Sequence, residues 1–141
     1  MSISTVTHLN LRGDARAALE LYQSVFGGDL VAITNADAHN VQNRDEADQL
    51  MWGQVASPDG FHVMAYDVPS SMPWSQGEAP FFVSVRGSDA EEITTYWKKL
   101  AEHATVVVPL APAGWAPLYG MLTDKFGITW VLDVAASYDG A

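Results

Sequence analysis

The chain has 141 residues, 48% of them hydrophobic, and a formal net charge of -10. This composition supports a folded core and disfavours a disordered chain. Seven Lys and Arg against seventeen Asp and Glu cannot form a basic face, so nucleic acids and anionic membrane surfaces are not expected partners. No apolar run approaches the ~20 residues of a membrane helix, and no signal peptide is expected. The absence of cysteine excludes disulfides and cysteine-bound zinc, and favours a cytoplasmic location.

The first half predicts a strand, a helix and three further strands. Val6–Arg12 alternates polar and apolar residues, as half-buried strands do. Asp14 is the predicted N-cap of a helix from Ala15 to Phe26, which the glycine pair after it ends. The three further strands are, in chain order, Leu30–Ile33, Leu50–Ala56 and Phe61–Val68. The polar segment Asn35–Gln49 predicts a mobile loop, and Ser57–Gly60 a hairpin turn.

The second half repeats this order after a proline-rich linker, residues 69–80. It predicts a strand over Phe81–Arg86, a helix over Asp89–Ala101 and a strand over Thr105–Val108. Pro109–Pro117 is predicted to be a loop. Leu118–Val131 then matches the third and fourth strands of the first half and the turn between them.

An internal repeat joins the two halves. A spacing of 74 residues relates Arg12-Gly13 to Arg86-Gly87, and a spacing of 67 relates Gly53 and Gly60 to Gly120 and Gly127. Repetition at both ends of the segment indicates two copies of one supersecondary unit. We therefore predict a single α+β domain made of two βαβββ modules, residues 5–68 and 81–134. The sheets would form a cupped half-barrel around a pocket, with helices on the outer face.

Three segments resemble the glyoxalase / bleomycin-resistance / extradiol dioxygenase (vicinal oxygen chelate) superfamily, and within it the PhnB-like branch. They are LNLRGDARAALELYQSVFGG (9–28), HVMAYDVP (62–69) and WAPLYGMLTDKFGITWVLD (115–133). The resemblance covers nearly the whole chain and implies a fold of paired βαβββ modules. It does not imply a substrate, because the superfamily includes isomerases, dioxygenases, antibiotic-modifying enzymes and binding proteins.

The resemblance also implies where a metal would sit. Carried onto this chain, the family's four ligand positions are His8, Met64, Phe82 and Val131. Only His8 has a side chain that suits a divalent metal, which needs three or four nitrogen or oxygen ligands. We therefore predict no metal ligands and no cofactor.

Strand alternation predicts which side chains line the pocket. His8 is the candidate catalytic residue, because histidine titrates near neutral pH and serves as a general base. The predicted substrate-binding residues are Asn10, Arg12, Trp52, Gln54, Tyr66, Trp115, Tyr119 and Asp133.

Several of these side chains have a structural alternative. Arg12 and Arg86 could bind a carboxylate or a phosphate, or form salt bridges, and the salt bridge is favoured for Arg86. Trp115 and Tyr119 could form a lid or pack across a dimer contact. His62 is interpreted as a satisfied core polar group. Asp124 is expected to cap its own turn.

Three functions remain open. The first is a metal-independent, PhnB-like protein that binds a small organic metabolite. The second is an enzyme of lyase or isomerase type with His8 as base and Arg12 or Tyr66 stabilising negative charge. The third is a drug-sequestering protein of bleomycin-resistance type, for which an acidic chain suits a cationic drug. A homodimer is expected in each case.

Overall fold

The computed structural model describes residues 3–136. The chain divides into two compact units, Met1–Gln76 (unit 1) and Gly77–Ala141 (unit 2), whose boundary lies within the predicted linker. The helices within residues 3–136 are too short to span a lipid bilayer.

Unit 1 is a four-stranded sheet with one helix. Its elements are β1 (Thr7–Leu11), α1 (Ala15–Phe26), β2 (Asp29–Thr34), a 3₁₀ turn (Arg44–Glu46), β3 (Leu50–Ala56) and β4 (His62–Asp67). The strand order is β1-β4-β3-β2, with β1 and β4 parallel and the other neighbours antiparallel. Leu9 and Leu11 of β1 and Leu19 and Tyr22 of α1 are buried, so α1 covers one face of the sheet.

Unit 2 repeats this topology. Its elements are β5 (Val83–Gly87), α2 (Ala90–Ala101), β6 (Thr105–Ala113), β7 (Ala116–Thr123) and β8 (Thr129–Val134). The strand order is β5-β8-β7-β6, and β5 and β8 are the parallel pair. The prediction of two βαβββ modules is therefore confirmed.

The repeated glycines hold equivalent positions in the two units. A Cβ on Gly53 would lie 2.6 Å from Cδ1 of Leu19 in α1, and a Cβ on Gly120 would lie 2.8 Å from the Trp97 ring in α2. In each unit, glycine lets the helix approach the central part of the sheet closely. Gly60 and Gly127 have positive φ in their turns, which glycine adopts without strain.

Asp14 occupies the predicted N-cap position of α1, but the capping role of its side chain is wrong. The Asp14 side chain makes no capping hydrogen bond. Instead, Oδ1 of Asp67, at the end of β4, accepts the backbone N–H groups of Gly13 (2.7 Å) and Ala15 (3.1 Å). Oδ2 of the same carboxylate accepts the N–H of Leu50 at 2.9 Å. A residue distant in sequence therefore satisfies the N-terminal donors that a local cap would otherwise take.

The predicted loop over Pro109–Pro117 is also wrong. Strand β6 continues to Ala113, a two-residue turn at Gly114 and Trp115 follows, and β7 begins at Ala116. The prolines of this segment signalled a loop. However, β6 is an edge strand with register shifts, and neither Pro109 nor Pro112 is among its paired residues. Proline is tolerated in such positions because no ladder hydrogen bond is lost.

Strand β5 begins later than predicted. It starts at Val83, so Phe81 and Phe82 precede it and are exposed. Between β2 and β3, residues 35–49 contain hydrogen-bonded turns: Asn35 N–H donates to Gln49 O, and Asn40 N–H donates to Asn35 O. This segment therefore has defined internal structure.

Candidate functional site

The face of the unit 1 sheet opposite α1 carries polar and aromatic side chains. We call it the open face of unit 1, and its residues are His8, Asn10, Trp52, Gln54, His62, Met64 and Tyr66. The ladder places His8 opposite Met64 and Asn10 opposite Tyr66 on the parallel strands, and Gln54 opposite Met64 on the antiparallel pair. Four of the predicted substrate-binding residues therefore share this face with His8, namely Asn10, Trp52, Gln54 and Tyr66.

His8 is held on two sides. Its Nδ1 lies 2.9 Å from Oδ1 of Asn10, and its ring packs edge-on against Tyr66 with 5.1 Å between ring centroids. An amide oxygen only accepts, so Nδ1 is the donor of this hydrogen bond. In the neutral imidazole, Nε2 then carries the lone pair, which is the arrangement of an oriented general base.

A second pair of contacts orders the rest of this face. The indole N–H of Trp52 points to Sδ of Met64 over 3.2 Å, and Nε2 of His62 lies 2.8 Å from Oε1 of Gln54. His62 is exposed, so its interpretation as a core residue is wrong, although its hydrogen bond is satisfied. Cross-strand contacts of this kind fix the rotamers of the face.

Arg12 does not point to an open site. It donates through Nε to the carbonyl of Val68 and through Nη2 to the carbonyls of Pro69 and Met72. Its guanidinium also lies over the ring of Trp74, 5.7 Å from the centroid. The Trp74 indole N–H donates to the carbonyl of Asn10 over 3.0 Å. Through these hydrogen bonds and the contact with Trp74, Arg12 connects residues 68–74 to the end of β1.

A cavity of about 110 Å³ lies beside Tyr66, and we call it the loop cavity. It is lined by Asn35, Asn40, Gln42, Glu46, Met51, Tyr66, Asp67 and Pro69. The Asn35 amide N–H donates to the carbonyl of Glu46 over 2.9 Å, and Ser70 N–H donates to the Glu46 carboxylate over 3.1 Å. Tyr66 thus belongs both to the open face and to the cavity wall.

The start of the loop is anchored by a short reciprocal contact. Thr34 N–H donates to Oδ2 of Asp37 at 3.1 Å, and Asp37 N–H donates to Oγ1 of Thr34 at 3.0 Å. The backbone donor, followed by the hydrogen bond with the Thr34 side chain, lowers the pKa of the Asp37 carboxyl below its ordinary value of 3.8.

In unit 2, Asp133 is paired within the sheet. Arg86 lies opposite it on β5 and donates through Nε and Nη2 to its two carboxylate oxygens, at 3.2 and 3.0 Å. The favoured salt bridge of Arg86 is thus present, with a partner on β8. Tyr119 lies opposite Asp133 on β7 and packs edge-on against Trp115, 5.3 Å between ring centroids. Trp115 is 63% exposed and lies in the hairpin turn between β6 and β7.

Asp124 caps its own turn, as predicted. Its Oδ1 accepts the N–H groups of Phe126 and Ile128, and Oδ2 accepts the indole N–H of Trp130.

The side chains at the implied metal positions do not suit a metal ion. His8 faces Met64 across the ladder, and Val131 faces Ser84, because Phe82 lies before the start of β5. Within residues 3–136, no three His, Cys, Asp or Glu side chains lie close enough together to hold a metal. In unit 1 the thioether of Met64 does not complete a site with the His8 imidazole, and in unit 2 Val131 and Ser84 supply no nitrogen or carboxylate ligand.

The family model for the Glyoxalase/Bleomycin resistance protein/Dioxygenase superfamily matches residues 5–132. The chain belongs to this superfamily. The family resemblance read from the three sequence segments and the α+β glyoxalase-like fold are thereby confirmed.

Solved structures extend this finding. The chain is similar to protein PA1353 from Pseudomonas aeruginosa, at 28% identity and a TM-score of 0.83, with 96% of this chain and 100% of that chain covered. It shares its fold with a PhnB protein from Bacillus cereus, described as a candidate 3-demethylubiquinone-9 3-methyltransferase (21% identity, TM-score 0.69, 94% and 100% covered). TioX from Micromonospora sp. ML1 also shares the fold (20% identity, TM-score 0.58, 94% and 100% covered). No curated protein matches the sequence of this chain.

Sequence reasoning missed the loop cavity and Trp74. Asn35, Asn40, Gln42 and Glu46 lie in a polar segment without hydrophobic period, which is typical of a solvated loop. Three amide side chains within eight residues were the available signal. Trp74 was assigned to the linker, and its contacts with Asn10 and Arg12 relate it to β1.

Proposed function

We propose that this chain is a metal-independent, PhnB-like protein that binds a small, partly aromatic organic molecule on the open face of unit 1. The observation that carries the proposal is the ordered set of contacts around His8, Asn10 and Tyr66. A face with aromatic walls and a few oriented polar groups is the usual composition of a small-molecule site. Tyr66 belongs both to the open face and to the lining of the loop cavity, so a ligand beside Tyr66 could also contact the cavity.

Metal independence is part of this proposal and rests on the donor set described above. Metal analysis of the purified chain tests it directly. Stoichiometric zinc, nickel or iron bound to protein prepared without chelators would contradict the proposal. Trace metal, unchanged in the His8→Ala variant, is the expected result.

The proposed ligand site can be tested with 2-phenylethanol as a probe. A ligand of this size is expected to bind with a Kd on the order of 1 mM, which NMR titration measures well. The tryptophan indole N–H signals report where it binds. We expect the Trp52 signal to move, because Trp52 lies on the open face, and the Trp130 signal to stay fixed, because Trp130 is fully buried. Trp52→Phe and Trp130→Phe assign the two signals.

A uniform shift of all indole signals, or no shift up to saturation of the solution, would refute the proposed site. The corresponding open side of unit 2 carries Tyr119, Asp133 and Arg86, with Trp115 at the hairpin turn, and a role for these residues in binding remains a prediction. A homodimer and a cytoplasmic location are further parts of the proposal.

An enzyme with His8 as general base is the second candidate. The hydrogen bond from Nδ1 to Asn10 favours it, since it leaves Nε2 to accept a proton. Arg12 is engaged with three carbonyls, so Tyr66 is the remaining candidate for stabilising negative charge. Deuterium exchange into phenylacetone in D₂O would detect carbon-acid deprotonation. We expect His8→Ala to abolish any catalysed exchange and His62→Ala to retain it; equal rates in both variants would exclude this role.

Drug sequestration of bleomycin-resistance type is the third candidate. It predicts one ligand bound per protomer and no product, so conversion of a bound ligand would exclude it.

A further inference from the structure

We propose that the loop cavity binds the cationic head group, an ammonium or guanidinium, of a ligand whose apolar part lies on the open face of unit 1. This inference rests on the proposed function and specifies the class of ligand.

The charges around the cavity favour a cation. The residues that line it include two acidic ones, Glu46 and Asp67, and no Lys, Arg or His. Arg44 is not among the residues that line the cavity, but it lines a neighbouring surface depression that shares Gln42 and Glu46 with it. The whole chain carries ten more acidic than basic residues, which adds a favourable long-range field for a positive ligand.

The two carboxylates have different roles. Asp67 is 4% exposed and its two oxygens already accept three backbone N–H groups, so we do not expect it to bind the ligand directly. Glu46 accepts Ser70 N–H through Oε2, which leaves Oε1 to a ligand. Glu46 is therefore the group that we expect to make the charge-assisted hydrogen bond.

The remaining polar groups offer acceptors. The Asn35 amide nitrogen is engaged with the Glu46 carbonyl, so its oxygen is the atom available to a ligand. The Asn40 and Gln42 amides lie at the exposed side of the lining and can also turn their oxygens inward. An ammonium or guanidinium has only donors, and this set matches it.

The size of the cavity suits a head group and not a whole metabolite. A volume of about 110 Å³ corresponds to only a few water molecules, at about 30 Å³ each. Tyr66 is also among the lining residues, and an aromatic ring beside a cation would stabilise it further. The apolar part of the ligand would then continue past Tyr66 along the open face.

Three matched probes test the inference: 2-phenylethylamine, 2-phenylethanol and 3-phenylpropanoate, which carry a cationic, a neutral and an anionic head. Affinities are measured by NMR titration on the folded full-length chain at fixed ionic strength. We expect the amine to bind about tenfold more tightly than the alcohol, because it gains one charge-assisted hydrogen bond. The carboxylate should bind most weakly of the three.

Glu46→Gln should weaken binding of the amine about fivefold or more and leave the affinity for the alcohol unchanged. Its matched control is Glu20→Gln, which makes the same change of net charge on the exposed side of α1, and there the amine affinity should stay within about twofold. If Glu46→Gln does not fold, Gln42→Lys provides the test. The added positive charge at the exposed side of the cavity should weaken binding of the amine and strengthen binding of the carboxylate.

The outcomes separate this inference from the proposed function. Equal affinities for the amine and the alcohol, unaffected by Glu46→Gln, would overturn the inference that the loop cavity binds a cationic head group. A shift of the Trp52 signal in the same titrations would still support ligand binding on the open face. Tightest binding of the carboxylate would overturn the cationic head group as well. Failure of all three probes to move the Trp52 signal would overturn both.

Discussion

The carboxylate of Asp67 accepts the backbone N–H of Ala15 over 3.1 Å, although the two residues are 52 positions apart in the chain. The same carboxylate accepts Gly13 N–H and Leu50 N–H. One buried side chain at the end of β4 thus joins the start of α1 and the start of β3, next to the proposed ligand site. A buried carboxylate is tolerated here because three donors satisfy it.

Asp67→Ala should lower the free energy of unfolding by about 2–4 kcal/mol, because it leaves three backbone donors without their acceptor. Asp14→Ala is the matched control. The Asp14 side chain makes no capping bond, so the expected loss is below about 0.5 kcal/mol. Urea unfolding monitored by circular dichroism measures both. Equal losses in the two variants would contradict the assignment of the cap to Asp67.

Gly53→Ala should destabilise unit 1 by about 1–3 kcal/mol through overpacking. The new Cβ would lie 2.6 Å from Leu19 Cδ1 and 2.9 Å from the carbonyl of Val31, and the backbone atom cannot move aside cheaply. At Gly114 a Cβ would meet no heavy atom within 4 Å, so Gly114→Ala should change stability by less than about 0.5 kcal/mol. Thermal melts of the two variants, compared with the wild type, provide the test.

Neutral His8 should carry its proton on Nδ1, because Asn10 Oδ1 can only accept. Long-range ¹H–¹⁵N correlation spectra distinguish the two tautomers. His62 is an internal control with the opposite expectation, since its Nε2 lies against Gln54 Oε1. Asn10→Ala should shift His8 toward the Nε2–H form and leave His62 unchanged. An Nε2–H tautomer for His8 in the wild type would disprove the hydrogen bond.

Asp37 should contribute to the pH dependence of stability. Hydrogen bonding to Thr34 lowers the pKa of Asp37 in the folded state below its ordinary value of 3.8. The contribution is therefore complete above about pH 4 and is lost as the pH falls through the lower, folded-state pKa. The difference in Tm between wild type and Asp37→Asn should shrink between pH 6 and pH 3. Thr34→Val removes only the hydrogen bond of the Thr34 side chain, so most of the pH dependence of the Tm difference should remain in that background. A Tm difference between wild type and Asp37→Asn that does not change with pH would contradict the prediction.

Light scattering should give twice the protomer mass of 15.3 kDa if the chain is the expected homodimer. The apolar residues Val106, Val107 and Val108 of β6 and Trp115 are exposed, and such patches commonly lie in interfaces. Val107→Lys should therefore weaken association. Val41→Lys, at another exposed valine, is the control and should leave the mass unchanged. A monomer mass for the wild type would refute the dimer.

The two modules could be predicted from the sequence because the residue patterns that define them are local and recur along the chain. Alternation placed His8, Asn10, Trp52, Gln54 and Tyr66 on one face, and the structure brings them together. The errors arose where a local signal has two structural solutions. Prolines in Pro109–Pro117 are compatible with a loop and with an edge strand, and only the position of β6 at the sheet edge distinguishes them.

The partners of the charged side chains also could not be predicted from local sequence signals. Arg12 and Arg86 occupy equivalent positions in the repeat but have different partners, carbonyls of residues 68–72 in one unit and Asp133 in the other. Spacing reveals which residues are equivalent, but it does not reveal which oxygen lies within reach. The partner depends on the path of the segment that follows the sheet, and in unit 1 residues 68–74 lie against Arg12.

The sequence by itself determined the two modules, the face on which His8 and its neighbours lie, and the family, because periodicity and repeated glycines are local properties of the chain. Only the tertiary structure decided that Asp67 and not Asp14 caps α1, that Arg12 is engaged with backbone carbonyls, and that residues 35–49 form a cavity beside Tyr66. Each of these depends on groups far apart in sequence meeting at hydrogen-bond distance. No local pattern encodes such a meeting, because it results from the packing of the whole unit.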